Sequence, residues 1–398
     1  MKKEPLRIIP LLLIAAMTVI LAVLFPTLPK RTFSDNENRT LAKFPALNAE
    51  KVKDGSFQAG FENYLADHFP FRDALFSLSV GAERTLGKRE INGVLYLREP
   101  SGTRRLADVY EKPVHGKKFV QAVNRLSENL DTARVTLMLV PTAVTLYRDC
   151  LPAHVKARMP RTQMQLIRMI TGGKDIEPRV NCRIVRGVQK TLSDGRTAGE
   201  EIFYRTDHHW TTRGAYRAYR RLAPYLGLTP HDAPGESLTL VSDSFYGTTW
   251  SKVCDRRIRP DVIEIYENPA WKGSLKVTFE DTGETTDTPY NRDWLAKKDQ
   301  YSLFLDNLHP LITIENPDAD LQRRGNRERR ALALVKDSYA NCLVPFLIDH
   351  YETIYVFDPR YYRGGISTFV NEHPEVEDVL VLYNLSTMDT DRGVGAIS

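Results

Sequence analysis

The run Thr206-Asp207-His208-His209-Trp210 concentrates groups that can transfer a proton, because a carboxylate and two imidazoles stand in three consecutive positions. The chain has nine histidines in 398 residues, so two adjacent ones are unusual. An imidazole oriented by a carboxylate is a common general base, since its pKa lies near neutral pH. The structural alternative is a turn whose polar groups cap a helix and whose tryptophan fills the core. The run alone leaves both interpretations open.

A second polar pair, Asp337-Ser338, follows the apolar run 331–335, which is typical of a buried strand. In open α/β sheets ligands bind at the carboxyl ends of strands, and the amides of a following helix can stabilise an oxyanion. A serine needs an adjacent base, oriented by a third group, to become a nucleophile. Asp337-Ser338 and Asp207-His208-His209 together could therefore supply a Ser-His-Asp triad. Alternatively, Asp337 serves only as a helix cap.

The segments around both pairs alternate between apolar strands and amphipathic helices, which predicts an α/β fold with a parallel sheet and helices on both faces. We expect strands at 94–97, 135–140, 183–185, 201–204, 331–335, 353–357 and 379–384. We expect helices at 117–130, near 160–171, after Ser338, and after Thr212, which would cap its own helix. Both polar pairs would then lie at strand ends.

Residues 231–300 interrupt this alternation. Short strands are expected at 246–250, 262–266 and 275–279, with an exposed acidic loop at 280–288. We interpret the region as an insertion near the site that shapes substrate specificity. Its aromatic residues could also hold a glycan: Tyr246, Trp250, Tyr266 and Trp271.

The N-terminus predicts a membrane anchor. Residues 8–25 are apolar except for Pro10 and Thr18, which is just long enough to span a bilayer as a helix. Lys2, Lys3 and Arg7 favour a cytoplasmic tail, so the rest of the chain would lie outside the cytoplasm. A cleaved signal peptide is the alternative, but no clean small-residue cleavage site precedes Pro26.

Three regions are expected: a tail and anchor at 1–30, a linker and helical region at 31–110, and an α/β domain at 111–398. The helical region has two apolar stripes separated by Pro70. Their members are Phe57, Phe61, Tyr64 and Leu65, then Phe71, Leu75, Leu78 and Ala82.

Charge and cysteine content narrow the function classes. A net charge of +5 is spread over 55 basic and 50 acidic residues without a basic block interleaved with aromatics, so nucleic acid is not an expected partner. The cysteines could form two disulfides outside the cytoplasm or remain free thiols: Cys150, Cys182, Cys254 and Cys342. None lies in a Cys-x-x-Cys pair, which argues against structural zinc.

The Asp207-His208-His209-Trp210 run resembles the signature of the bacterial DHHW protein family. That family is similar to the catalytic domains of the alginate O-acetylation proteins, a branch of the SGNH hydrolase-like (flavodoxin-like) fold. The resemblance covers most of the chain and includes these runs: Glu37-Asn38-Arg39, Asp54-Gly55, Asp67-His68-Phe69-Pro70-Phe71-Arg72, Asn92-Gly93-Val94, Val140-Pro141-Thr142, Phe245-Tyr246-Gly247-Thr248 and Lys336-Asp337-Ser338-Tyr339.

In the acetylation proteins the corresponding motif is Asp-x-His-Trp with a separate downstream serine. The resemblance therefore implies that Asp207 is the orienting acid, His209 the general base and Ser338 the nucleophile, with His208 ranked second as base. It implies acetyl transfer to, or removal from, a polysaccharide hydroxyl without a cofactor, with a membrane protein as a possible acetyl donor. The oxyanion would be bound by the Ser338 amide. Weaker candidates for substrate or oxyanion binding are His208, Asp337, Tyr339 and Asn384.

Two other functions remain open. One is a catalytically inactive protein that binds polysaccharide or scaffolds a cell-envelope assembly. The other is a metal site made of Asp207, His208 and His209; we do not expect a metal, because neighbouring residues rarely converge on one ion.

Overall fold

A computed structural model describes residues 5–110, 116–158, 180–231, 238–321, 323–324, 327–328 and 331–397 of the chain. The expected helix near 160–171 lies outside the described residues. Two compact units are present: Met1–Asn92 with Ser251–Arg257, and Gly93–Trp250 with Ile258–Ser398. The boundary after Asn92 precedes the boundary at residue 110 expected from the sequence.

The first unit begins with the helix Pro5–Thr27, of which Ile8–Thr27 has a mean hydropathy of 3.0 and is long enough to cross a membrane. A small β-hairpin (Phe33–Ser34 and Arg39–Thr40) follows it. The remaining elements of the unit are the helices Ala49–Lys53, Ser56–Asp67 and Arg72–Thr85 and the short strand Glu90–Ile91. The break between the last two helices falls at Pro70, as predicted.

The second unit is built on an eight-stranded, mostly parallel sheet. In spatial order its strands are Glu284–Thr286, Lys276–Phe279, Leu311–Glu315, Thr353–Phe357, Ala331–Lys336, Val376–Asn384, Arg134–Val140 and Arg183–Ile184. The last five run parallel and the first three are antiparallel. The predicted insertion thus supplies two strands to one edge of the sheet.

The centre of the sheet consists of the apolar runs that predicted it. Residues 331–335 and 379–383 have no exposed surface, which is why these strands are continuous apolar runs and do not alternate. Register places Val335 opposite Phe357 on one side, and Lys336 opposite Leu382 on the other. The carboxyl ends of three neighbouring strands therefore meet at one edge.

Two groups of helices pack against the strand Arg134–Val140. Gly116–Asn129 packs with Ile366–Glu372 and Leu385–Thr390, and Val188–Thr197 packs with Thr212–Leu226. Further short helices are Ala143–Leu146, Ala153–Arg158 and Thr248–Ser251. The last of these lies where a strand at 246–250 was expected, so that expectation was wrong; the strand ends earlier, at Phe245.

Smaller strand pairs complete the unit: Val94–Arg98 with Arg104–Asp108, Leu238–Phe245 with Asp261–Tyr266, and Arg323–Arg324 with Arg327–Glu328. All four cysteines are free thiols, with Cys254 and Cys342 buried and Cys150 and Cys182 half-buried.

Candidate active site

Ser338 lies directly after the central strand Ala331–Lys336, at the edge where three strands end. It begins the 3₁₀ turn Ser338–Ala340, so the α-helix expected there was wrong. Asp337 caps this turn: its Oδ1 accepts from the Tyr339 amide at 2.9 Å, and its Oδ2 accepts from the Asn384 amide at 2.7 Å. Burial raises the pKa of the Asp337 carboxyl to about 6 against these hydrogen bonds. Asp337 is thus built into the backbone that holds the serine.

The Thr206–Trp210 segment forms a loop folded back on itself. The Tyr204 amide donates to the His209 carbonyl at 3.1 Å, and Phe203 and Trp210 form an isolated bridge. The predicted strand 201–204 was therefore wrong, because its backbone pairs with this loop and never joins the sheet. The next helix is capped by the Thr211 side chain, which accepts from the Gly214 amide at 3.1 Å, and not by Thr212.

A buried carboxylate holds the start of this loop. Asp261 Oδ2 accepts from the Thr206 amide at 2.7 Å and from the Thr206 hydroxyl at 2.5 Å. At the other end, the Trp210 indole has no exposed surface and donates to the Tyr339 carbonyl at 2.8 Å. Trp210 therefore packs beneath the turn and ties it to the segment that carries Ser338.

The loop brings Asp207 and His209 to Ser338 in a continuous chain of hydrogen bonds. His209 Nδ1 lies 2.6 Å from Asp207 Oδ1, and His209 Nε2 lies 2.7 Å from the Ser338 hydroxyl. Because the Asp207 carboxylate accepts a hydrogen bond from the Nδ1–H, the lone pair of Nε2 faces the serine. His209 and Ser338 are 129 residues apart in sequence, so the fold alone creates this contact.

Electrostatics favour a neutral His209 beside an ionised Asp207. Burial, together with the charge of His208, lowers the pKa of His209 to about 4. Burial alone would raise the pKa of the Asp207 carboxyl, but His208, His209 and the hydrogen bonds from His209 outweigh it and hold that pKa well below its usual range. At neutral pH the imidazole is therefore free to accept a proton.

Two residues that support this arrangement were missed at the sequence level. Thr248 donates to Asp207 Oδ2 from its amide at 2.7 Å and from its hydroxyl at 2.9 Å. The Tyr301 ring stacks on the His209 imidazole, and its hydroxyl donates to the Ser338 carbonyl at 3.0 Å. Only the run Phe245-Tyr246-Gly247-Thr248, noted within the resemblance, pointed to either of them.

The weaker site candidates occupy different places. His208 is partly exposed, and its Nδ1 lies 2.7 Å from the Thr248 hydroxyl. Tyr339 is buried, and its hydroxyl donates to the His208 carbonyl. The Asn384 carboxamide donates to the Val140 and Pro141 carbonyls at 3.2 and 3.3 Å and its oxygen caps the next helix, so the side chain is already occupied.

Two groups near Ser338 could stabilise an oxyanion. The Ser338 amide opens the 3₁₀ turn, so its N–H has no acceptor within that turn. Arg360 follows the neighbouring strand Thr353–Phe357, and its charge acts to lower the pKa of both His209 and Asp337. The Arg360 guanidinium is 27% exposed and pairs with the buried Asp358. This puts a positive charge at the same edge of the sheet.

Asp207, His208 and His209 offer three ligand atoms within 4.8 Å of one another. An ion there would have to replace existing hydrogen bonds, because Asp207 accepts from His209 and Thr248, and the His208 Nδ1 meets Thr248. The donor set is therefore already used by the protein itself.

The aromatic residues of the insertion separate into two pairs. Tyr266 and Trp271 pack together at 5.6 Å, and the Trp271 indole donates to Asp349 at 2.6 Å, so this pair belongs to the interior. Tyr246 and Trp250 lie 4.6 Å apart, with Lys298 4.4 Å from the Trp250 ring.

Comparison with known proteins identifies both a family and a fold. The sequence model of the family described as DHHW protein matches residues 110–357. Among solved structures, a DHHW family protein from Eubacterium siraeum has a TM-score of 0.61 at 23% identity, over 77% of this chain and 95% of that one.

Bacillus cereus PatB1, solved with a sulfonyl adduct, has a TM-score of 0.57 at 17% identity, over 76% of this chain and 98% of that one. The O-acetyltransferase domain of Pseudomonas putida AlgJ has a TM-score of 0.42 at 13% identity, over 75% and 92% of the two chains. No curated protein matches the chain significantly.

Proposed function

We propose that this chain, which belongs to the DHHW protein family, is a membrane-anchored, extracytoplasmic O-acetyltransferase or acetylesterase that acts on a cell-surface or secreted polysaccharide. The observation that carries the proposal is the hydrogen-bonded series Asp207–His209–Ser338, with contacts of 2.6 and 2.7 Å. These are the distances at which an oriented base can remove a serine proton.

In the first half-reaction, the Ser338 oxygen attacks the carbonyl carbon of an acetyl ester while His209 Nε2 takes the hydroxyl proton. Asp207 stabilises the imidazolium that forms. The negative charge on the carbonyl oxygen is stabilised by the Ser338 amide and by the positive charge of Arg360. The intermediate collapses, His209 returns the proton to the departing alcohol, and the acetyl group remains on Ser338.

The second half-reaction repeats these steps with a new nucleophile. His209 removes a proton from an acceptor hydroxyl, whose oxygen attacks the acetyl carbonyl. The Ser338–acetyl bond breaks, and His209 returns the proton to the Ser338 oxygen. If the acceptor is a sugar hydroxyl, the protein is a transferase; if it is water, the protein is an esterase. A membrane protein would deliver the acetyl donor to the first half-reaction.

The remaining parts of the proposal have separate support. The apolar helix Ile8–Thr27 supports an anchor, and Lys2, Lys3 and Arg7 support a cytoplasmic N-terminus. The acetyl group and the polysaccharide rest on the resemblance of the Asp-His-His-Trp run to the alginate O-acetylation motif.

The test is hydrolysis of an activated acetyl ester by the full-length protein in detergent. We expect Ser338→Ala and His209→Ala each to lower kcat/KM by roughly 10³-fold or more, since the triad acts as a unit. The matched control is His208→Ala, in the same loop but one position away, which should lose less than about 10-fold. Equal rates in wild type and both triad variants would exclude catalysis; polysaccharide binding that persists without any esterase activity would instead establish the inactive, binding alternative.

A further inference from the structure

The helix Arg72–Thr85 turns its apolar side outward. Phe71, Leu75 and Leu78 are 64%, 46% and 69% exposed, and Ala82 is exposed as well. Their spacing of four, three and four residues puts them on one face of the helix. We call these four residues the apolar stripe. Large apolar side chains grouped in this way on a surface mark a site of interaction.

The neighbouring helix of the same unit, Ser56–Asp67, also has an apolar face, but other aromatic side chains cover it. Phe61 and Tyr64 meet the Phe44 ring at 5.8 and 5.3 Å, and Phe57 stacks on Phe61 at 6.2 Å. Phe57, Phe61 and Tyr64 are accordingly only partly accessible. The two helices have the same periodicity in sequence, but only the apolar stripe is left open.

The apolar stripe starts where the chain leaves its N-terminal helix. Arg31, four residues after the end of that helix, forms an ion pair of 3.0 Å with Asp73 in the first turn of Arg72–Thr85. Leu28 and Phe71 line the same cavity of about 370 Å³. A second contact, between Phe25 of the N-terminal helix and Tyr64, has a ring separation of 6.1 Å.

We propose that the apolar stripe lies at the boundary between the lipid headgroups and the acyl chains of the bilayer that the N-terminal helix crosses, as a second membrane contact of the first unit. The proposal rests on the membrane anchorage proposed above. A helix with one apolar face next to a membrane-spanning segment is suited to lie in the interface plane. The exposed Arg89 follows the helix and suits anionic headgroups, whereas its neighbour Lys88 pairs with Glu83 at 2.8 Å.

The two contacts have different geometries. The N-terminal helix fixes only a point at which the chain enters the membrane, about which the first unit could turn. The apolar stripe adds a line of contact along the helix Arg72–Thr85. Together they hold the first unit in one orientation on the bilayer surface.

The test uses the full-length protein in vesicles whose phosphatidylcholine carries brominated acyl chains, which quench tryptophan fluorescence only within the bilayer. All four native tryptophans lie outside Met1–Asn92 and Ser251–Arg257, so one can be added to the apolar stripe as Leu78→Trp and compared with wild type. The matched control is Glu83→Trp, on another face of the same helix, where the side chain is 34% exposed.

We expect the brominated lipid to remove most of the emission added by L78W and little of that added by E83W. If the protein floats with the vesicles and both variants are quenched alike or not at all, the apolar stripe faces water or a protein and the inference is overturned, while the anchor stands. If the protein does not float with the vesicles, the anchor and the inference fail together.

Discussion

The Tyr301 ring stacks on the His209 imidazole, with centroids 3.8 Å apart and planes 9° from parallel. The same side chain donates a hydrogen bond of 3.0 Å to the Ser338 carbonyl. One residue thus contacts the proposed base through its face and the backbone of the proposed nucleophile through its hydroxyl. It positions the two groups that would exchange a proton.

The two contacts of Tyr301 can be separated by substitution. Tyr301→Phe keeps the stacked ring and loses the neutral hydrogen bond to the Ser338 carbonyl and a weaker contact of 3.3 Å with Cys342 Sγ, so kcat/KM should fall by about 10-fold or less. Tyr301→Ala also removes the wall behind the imidazole and should cost about 100-fold or more. Esterase kinetics measure both, with Tyr204→Phe, a buried neighbour outside the triad, as the control. Wild-type activity in Tyr301→Ala would refute this role.

The Thr248 hydroxyl should matter because it orients Asp207. Thr248→Val removes the 2.9 Å hydrogen bond to the carboxylate and the 2.7 Å contact with His208 Nδ1, while keeping the amide donor and the side-chain shape. Losing one hydrogen bond to a charged group, worth about 1.5–3 kcal/mol, should lower kcat/KM by about 10- to 100-fold. The matched control is Thr249→Val, whose hydroxyl contacts Asp108 and not the triad. If the two variants have equal activity, Thr248 does not position the acid.

Gly247 is required by close packing against the acid. A Cβ at this position would lie 2.2 Å from Asp207 Cβ and 2.3 Å from its Oδ2. Gly247→Ala must therefore displace the carboxylate, and we expect a loss in kcat/KM of about 100-fold or more. Gly395→Ala is the control, because its added Cβ would meet no atom within 4 Å. Full activity of Gly247→Ala would show that the Asp207 position is not critical.

The pH dependence should report the lowered pKa of His209. Only the neutral imidazole accepts a proton, so kcat/KM should stay constant from neutral pH down to about pH 5 and fall as pH approaches 4. The free energy of unfolding should fall in the same direction. The unfolded chain binds a proton at His209 below about pH 6.5, whereas the folded protein does so only near pH 4. The folded state therefore loses stability as pH falls from 6.5 to about 4. Circular dichroism at each pH separates lost base function from unfolding. An apparent kinetic pKa at or above 6.5 would contradict the buried, neutral base.

Asp358 should be important for stability, because it is fully buried between two cations. It accepts from Arg360 Nε at 2.8 Å and lies 3.7 Å from Lys336 Nζ. Asp358→Asn leaves both charges without their partner, which should cost about 3–5 kcal/mol in the free energy of unfolding. Glu315→Gln breaks the pair with Lys276, in which both side chains are about half exposed, and should cost much less. Denaturant unfolding measures both variants, and equal losses in the free energy of unfolding for Asp358→Asn and Glu315→Gln would contradict this prediction.

The sequence was most informative about strands that are buried on both faces, because these are continuous apolar runs. The runs 135–140, 331–335 and 379–384 are apolar at every position or nearly so, and each became a strand of the sheet. The segment 201–204 has the same appearance but pairs with the Thr206–Trp210 loop, because its backbone partners lie only a few residues away. Periodicity and composition do not distinguish these two outcomes.

The residues of the candidate site also differ in how far the sequence could predict them. Asp207, His209 and Ser338 stood out by residue type, whereas Thr248 was noted only within the run 245–248 and Tyr301 in no site motif. The two residues lie 41 and 37 positions from the groups they contact. The two helices with apolar faces in the first unit show a further limit of prediction from helical spacing. Phe57 and Phe61 are covered and Leu75 and Leu78 are not, although both sets have helical spacing, because spacing gives the face of a helix but not what lies against it.

The Asp337 carboxylate, whose Oδ2 binds the Asn384 amide, has a consequence for the order of assembly. A chain is synthesised from its N-terminus, so the loop with the base is complete well before the strand Val376–Asn384 exists. That final strand supplies both a flank of the central strand and the amide that holds the cap of the Ser338 turn. The cap of the Ser338 turn is therefore completed only when the strand Val376–Asn384 has been made and inserted.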